Sequence, residues 1–373
     1  MNPTNPAAED SNTVQQAVVV EPGEGMRLRE ITVRGPRAGE LAVEVRAAGV
    51  CHSDLHILNG DWPSDHPLVL GHEAAGVVTS VGDGVDLEPG DHVVLSWFAP
   101  CRTCDRCAAG KAWLCTGTRA VENVLPDGGT AFSLDGEEVF PFLGLGAFTK
   151  SVIVPRSAAV KVAPELPFEV GALLGCAVTT GVGAAVNTAE VRPGETAVVV
   201  GCGGVGLAII MGLKLAGAGT IVAVDLSEER RAAAEQFGAT VTLDGSKVDV
   251  AAWCQEHLGG ADYAFEAVGS PRLIEQLPGM IRSGGAAVLV GMPPIGAKAQ
   301  IDAFDLADQG KRVLGCNYGS SVAAVDIPRL AELYLTGRLP LDELVGKTRP
   351  LAEVELAFED LKAGIGLRGI LIP

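Results

Sequence analysis

The sequence predicts an α/β protein of two domains, one built on a doubly wound parallel sheet and the other rich in β-structure. Three observations carry that expectation. The chain has 373 residues, more than one hydrophobic core ordinarily serves. From Gln16 to about Ala177, short apolar runs are split by Gly, Pro and Asp. From about Gly181, strand-like and helix-like segments alternate.

In the first region the runs Ala17–Val20, Leu41–Ala47, His92–Leu95 and Phe148–Val154 are bounded by turn formers. They fit strands of a barrel or sandwich with long loops. In the second, Thr196–Val200 reads as a buried strand, Val205–Ala216 as a helix, Ile221–Val224 as a strand and Glu228–Phe237 as a polar helix. Strands near Thr240–Leu243, Ala261–Glu266, Ala286–Val290 and Arg312–Cys316 continue the series. Alternation of this kind builds βαβ units and a parallel sheet. The segments Asp326–Gly337 and Leu351–Gly364 mix helices and turns and return to the first domain. The expected boundaries are 1–177 with 320–373 for the β-rich domain and 178–319 for the parallel-sheet domain, with a Cys-rich lobe at about 97–117.

Net charge is -18, which repels nucleic acid and anionic lipid surfaces, so neither is an expected partner. Met1–Val14 is polar and lacks the apolar run of a signal peptide, so it reads as a tail. No apolar run approaches the roughly 20 residues that span a bilayer. Nine cysteines, an odd number with four of them between Cys101 and Cys115, suit metal binding in a reducing, cytoplasmic compartment better than a disulfide framework.

Gly201-Cys202-Gly203-Gly204-Val205-Gly206 has the form G-x-G-x-x-G, follows a strand and opens a helix, and Asp225 ends the next strand. That context makes a weak string a dinucleotide fingerprint. Gly201 allows the tight turn, Gly203 lets backbone approach a pyrophosphate, and Gly206 lets helix pack on strand. The free N–H groups of Gly204 and Val205 at the helix start receive the phosphates. Asp225 accepts from ribose hydroxyls and repels a 2′-phosphate, so NAD is expected. Arg230 is a candidate to help hold the adenosine ribose, or a solvated helix charge.

Cys101-x2-Cys104-x2-Cys107-x7-Cys115 lets four thiolates converge on one ion, a closed tetrahedral zinc site with a structural role. An iron–sulfur cluster also uses short Cys spacings and would colour the protein. Other candidates are scattered: Cys51-His52-Ser53-Asp54-Leu55-His56, then Gly71-His72-Glu73, then Gly175-Cys176. By spacing alone such residues are more often structural than ligands.

Taken together, these segments resemble the zinc-containing alcohol dehydrogenases of the medium-chain dehydrogenase/reductase family. Gly71-His72-Glu73-x2-Gly76-x5-Gly82-x2-Val85 fits that family's zinc signature, and Cys51-His52-Ser53-Asp54, the Cys lobe and Gly175-Cys176-x3-Thr180-Gly181 fit in order. The resemblance runs from about Gln16 to Pro373. It implies a Rossmann domain plus a GroES-like catalytic domain, and hydride transfer between an alcohol and NAD with two zinc ions per chain. Cys51, His72 and Cys176 would hold the catalytic zinc, with an open fourth position, and Cys101, Cys104, Cys107 and Cys115 the structural one. Asp54 would orient His72, and Glu73 would lie near the metal. Ser53 and His56 match a proton relay. His52 and Arg368 match pyrophosphate contacts, Thr180 a nicotinamide contact, and Trp97 a wall of the substrate pocket.

The substrate expected is a primary alcohol, aromatic ones included, or its aldehyde. The long segment Gly117–Ala147, ending in Leu143-Gly144-Leu145-Gly146-Ala147-Phe148, is similar to the branch that oxidises S-hydroxymethyl thiol adducts of formaldehyde, with glutathione or mycothiol as the thiol. That is the alternative. A zinc-free reductase would lack the ligands together, and a non-enzymatic NAD-binding relative would have lost a ligand or relay residue. A homodimer is expected, pairing through the sheet edge Arg312–Cys316 beside Ala286–Val290.

Overall fold

Glu40–Gly49, buried along nearly its whole length, is the central strand of the first of two compact units. This unit runs up to Cys176 and resumes over Val322–Pro373; the second is Ala177–Ser321. The structure is a computed structural model describing Asn12–Pro373. Most of the expected tail Met1–Val14 lies outside the described residues, but Thr13 and Val14 are not tail. They open the strand Thr13–Glu21, where Thr13 pairs with Val33 and Val14 with Thr32. Val14 is 63% exposed, so the ladder holds it rather than burial, and apolar patterning could not reveal it.

Around Glu40–Gly49 the sheet has seven strands. In order these are Ala159–Lys161, His92–Leu95, Glu73–Val81, Glu40–Gly49, Arg368–Ile372 and Val345–Pro350, with Ser151–Pro155 also paired to the central strand. Gly49 is opposite both Glu73 and Ile370. Three strand ends from distant parts of the chain therefore meet at one place, which brings together the candidate site residues Glu73 and Arg368.

Five further strands close a barrel: Thr13–Glu21, Gly25–Val33, Phe132–Leu134, Glu137–Pro141 and Leu68–Val69. The segment expected as a long insertion, Gly117–Ala147, supplies two of them. They are joined by Asp135-Gly136 with φ of 53° and 87°, both positive as a type I′ hairpin turn requires. That segment is part of the barrel wall, since its Phe132 and Val139 are buried in the core with Val18, Val19 and Ile31.

The second unit is a six-stranded, all-parallel sheet. Its order is Val241–Asp244, Thr220–Asp225, Thr196–Val200, Ala261–Glu266, Ile281–Leu289, Arg312–Gly315. The first strand lies in the middle and the order reverses there, the doubly wound Rossmann arrangement. Val198, Val222, Ala264 and Ala287 form the apolar interior with Cys254. Glu228–Phe237 begins where the Ser227 hydroxyl accepts from Arg230 N–H and ends at Gly238, start and stop signals written in the sequence. Among the described residues, no single helix is long and apolar enough to cross a membrane.

Candidate active site

The helix His52–Asn59 begins directly after Cys51, and Asp54 in its first turn organises the surrounding groups. Its side chain is fully buried. Its carboxylate accepts from the backbone N–H of Cys51 (3.3 Å) and of Gly71 (2.9 Å), and from Nδ1 of His72 (3.3 Å). One acidic group thus ties the first Cys segment to the His segment. With Nδ1 spent on a carboxylate, Nε2 is the nitrogen of His72 left for a metal ion, which would take the place of any proton there. That nitrogen is buried without a hydrogen-bond partner. The ring is also gripped edge-on by Phe142, at 5.5 Å between centroids.

Around that nitrogen, one ligand atom from each of Cys51, His72, Glu73 and Cys176 lies within 4.8 Å of the others. Glycines make the approach possible. A Cβ on Gly49 would lie 2.2 Å from a Glu73 carboxylate oxygen, and one on Gly175, beside Cys176, 2.7 Å from the Leu95 carbonyl. Arg368 is 4% exposed. Its guanidinium donates to the Val50 carbonyl at 3.0 Å and pairs with Glu73 at 3.3 Å. Sequence reasoning placed Arg368 at a pyrophosphate and missed its contact with Glu73, as well as Phe142 and Gly49; no local signal links them.

The electrostatics of this group ask for a cation. The Cys51 thiol is held well below its usual range, first by its hydrogen bond with Cys176 and then by Arg368 and His72, against burial. Cys176 moves up in turn, since it supplies the shared proton. Burial pushes Glu73 up to about 8, although Arg368 pulls the other way. For His72 burial opposes the charged form, but Asp54 and Cys51 outweigh it and raise its pKa. Two thiols, two carboxyls and an orphaned imidazole nitrogen crowd against one guanidinium. A divalent ion with sulfur and nitrogen preference fits both the charge and the donor set.

The four-Cys lobe fits a second ion. Sγ of Cys104 and Cys115 are 3.8 Å apart, about the edge of a tetrahedron with Zn–S of about 2.3 Å. All four sulfurs lie within 4.8 Å of one another, and none is in a disulfide. Backbone N–H groups of Cys101, Cys104, Cys107 and Gly117 donate to these sulfurs at 3.2–3.5 Å. Such donors lower Cys104 to about 5 and Cys101 to about 7, whereas desolvation raises Cys107 to about 12.

In the second unit, Gly201 has φ +94°, and a Cβ there would strike Val268 at 2.5 Å; a Cβ on Gly206 would lie 1.8 Å from the Gly201 carbonyl. Gly203 differs: its Cβ would meet nothing within 4 Å. Packing does not demand glycine at Gly203, whereas a phosphate approaching the backbone there would. Gly204 and Val205 open the helix Gly204–Ala216 toward the same place. Asp225 accepts from Cys202 N–H at 2.8 Å and Ser227 N–H at 2.9 Å. Cys202 is fully buried, a filler of the turn. Arg231, which sequence reasoning passed over, braces the carbonyls of Asp225 and Leu226 at 2.8 and 2.9 Å. Arg230 has a buried Nε without a hydrogen-bond partner. Thr180 is half-buried on the helix Ala177–Gly183 of this unit.

Of the other expected site residues, Ser53 Oγ lies 3.8 Å from Cys51 Sγ. His56 is three residues further along the same helix, its Nδ1 at 2.9 Å from Asp61 and its ring stacked on Trp62. His52 is exposed at the helix start. Trp97 packs edge-on against Phe98 and lines a cavity beside the Cys lobe with Leu125, Leu145 and Arg119.

Comparison with known proteins agrees with both halves. Residues 37–164 match the alcohol dehydrogenase GroES-like domain and residues 204–335 the zinc-binding dehydrogenase domain. The alcohol dehydrogenase class-3 of Cereibacter sphaeroides is 37% identical over 95% of this chain and 98% of its own length. The S-(hydroxymethyl)glutathione dehydrogenase of Paracoccus denitrificans is 36% identical, with the same coverage. The crystal structure of benzyl alcohol dehydrogenase from Acinetobacter calcoaceticus superposes with a TM-score of 0.90 at 33% identity, covering 96% of this chain and 99% of that one. The chain belongs to the zinc-containing alcohol dehydrogenases of the medium-chain dehydrogenase/reductase family, oxidoreductases that move a hydride between an alcohol and NAD with zinc as cofactor.

Proposed function

We propose that the substrate is a primary alcohol, aromatic ones included, or the matching aldehyde. We further propose that Cys51, His72 and Cys176 hold the zinc that faces it. The buried, unpartnered Nε2 of His72 amid two sulfurs carries this assignment. Bound there, zinc supplies Lewis acidity toward the substrate oxygen, and NAD accepts the hydride. The chain's own residues do the rest. Asp54 fixes His72, Glu73 and Arg368 share the buried charge beside the ligands, and Ser53 takes the hydroxyl proton and passes it toward His56. Trp97 contributes an apolar wall, as the likeness to a benzyl alcohol dehydrogenase supports. Gly201, Gly203 and Gly206 shape the cofactor loop; Thr180, His52, Arg230 and Arg368 contact the cofactor. Cys101, Cys104, Cys107 and Cys115 hold a structural zinc. The enzyme acts as a homodimer through Arg312–Gly315, an edge of its sheet, and resides in the cytoplasm, where its thiols stay reduced.

S-hydroxymethyl thiol adducts are the second reading, favoured by the 36% identical S-(hydroxymethyl)glutathione dehydrogenase. A panel of aliphatic and benzylic alcohols and of glutathione and mycothiol adducts, each with NAD and NADP, separates the two. A kcat/KM for an adduct above that for benzyl alcohol overturns the first.

Asp225→Gly is expected to weaken NAD by about 10- to 100-fold, the worth of hydrogen bonds to a charged acceptor, and to tighten NADP, whose 2′-phosphate no longer meets a like charge. Cofactor titration by fluorescence reads both. Asp54→Ala is expected to lower affinity for one zinc about 10- to 100-fold, leaving the lobe's zinc in place under the same chelator; equal loss of both ions contradicts the assignment.

A further inference from the structure

We propose that Asp61 is a positioning residue for the proton relay, acting only through His56. The helix His52–Asn59 places Ser53 and His56 three residues apart, hence on one face. At its end Gly60 takes φ +75°. Gly60 N–H then bonds the Ile57 carbonyl at 3.1 Å, and Asp61 N–H turns back to the His56 carbonyl at 2.9 Å, a Schellman closure. That backward turn lays the Asp61 carboxylate on His56 Nδ1 at 2.9 Å. Trp62, the next residue, stacks on the imidazole at 4.6 Å and 20°. The ring is held in plane by the indole and in rotation by the carboxylate.

The chemical consequence concerns the tautomer. An ionised carboxylate only accepts, so Nδ1 of neutral His56 carries the proton, and Nε2 is the acceptor. Asp61 therefore fixes which nitrogen receives a proton and where it points. His56 takes one proton at Nε2 and later gives one to solvent, so nothing is consumed. The side chains of His56 and Asp61 are 18% and 30% exposed, sheltered enough to be fixed and open enough for that exchange. Without Asp61 the ring populates both tautomers and turns over.

This inference rests on the relay reading of Ser53 and His56, and the test separates the two. Wild type, Asp61→Ala, His56→Ala and the double variant are compared with saturating NAD, with zinc content and melting temperature recorded for each. The expected result is a fall in kcat of about 10-fold for Asp61→Ala, with little change in the KM for NAD. In the His56→Ala background, removing Asp61 should cost nothing more. Added imidazole should restore part of the rate to both single variants. If Asp61→Ala keeps kcat within twofold, the inference is overturned while the relay stands. If its loss persists in the His56→Ala background, Asp61 acts through structure alone and the inference fails. Full activity in His56→Ala overturns the relay reading and the inference with it. Asp61→Leu, which keeps the bulk and removes the acceptor, carries the same comparison if alanine loosens the helix end.

Discussion

Replacing Cys176 with alanine is expected to lower kcat/KM at least about 10³-fold. A Lewis acid supplies several kcal/mol at the transition state, and each 1.36 kcal/mol is tenfold. Zinc content should fall from two ions per chain to one, since the two ligand groups share no residue. The variant should still fold, because the lobe of Cys101, Cys104, Cys107 and Cys115 keeps its own four donors. Cys176 suits the experiment better than Cys51, whose backbone N–H is also an Asp54 contact. Atomic absorption with steady-state rates checks the outcome. Retention of two zincs, or activity within tenfold of wild type, would remove Cys176 from the metal site.

Gly206→Ala is expected to reduce NAD affinity about 100-fold or more and to lower stability by about 1–3 kcal/mol, the usual cost of overpacking. The new methyl would start 1.8 Å from the Gly201 carbonyl, so strand and helix must part. The loop would carry Gly203 away from the place where a phosphate can reach its backbone. Zinc content should stay at wild-type level, because both ligand groups lie in the other unit. Isothermal titration with NAD decides the matter: unchanged affinity would mean that the fingerprint does not bind the cofactor.

Legibility in the sequence depended on how local each cause was. Glu228–Phe237 could be bounded because Ser227 and Gly238 punctuate it. The four-Cys lobe was visible because its ligands span one short segment. Asp135-Gly136 was a readable hairpin signal that the length of Gly117–Ala147 obscured. The proposed catalytic group needed a family resemblance, because Cys51, His72 and Cys176 are joined by tertiary packing and by Asp54 rather than by spacing. Arg368 against Glu73 was illegible for the same reason: the register of Gly49 with both Glu73 and Ile370 brings them together. The contact of Asp61 with His56 depends on one left-handed residue, Gly60, and only coordinates show which way the chain then turns.

The strand Arg368–Ile372 pairs with Glu40–Gly49, although the whole of Ala177–Ser321 lies between them in the chain. During synthesis the ribosome therefore releases that entire unit while the Ala48–Gly49 end of the early strand still waits for its neighbour, the Glu40–Glu44 part of that edge being paired already with Ser151–Pro155. The Rossmann unit can fold as it emerges, but Arg368 reaches the Val50 carbonyl across a separation of 318 residues. Every nascent copy passes through a stage in which the acidic pocket lacks its guanidinium, and a premature stop codon just ahead of Arg368 would leave it so permanently.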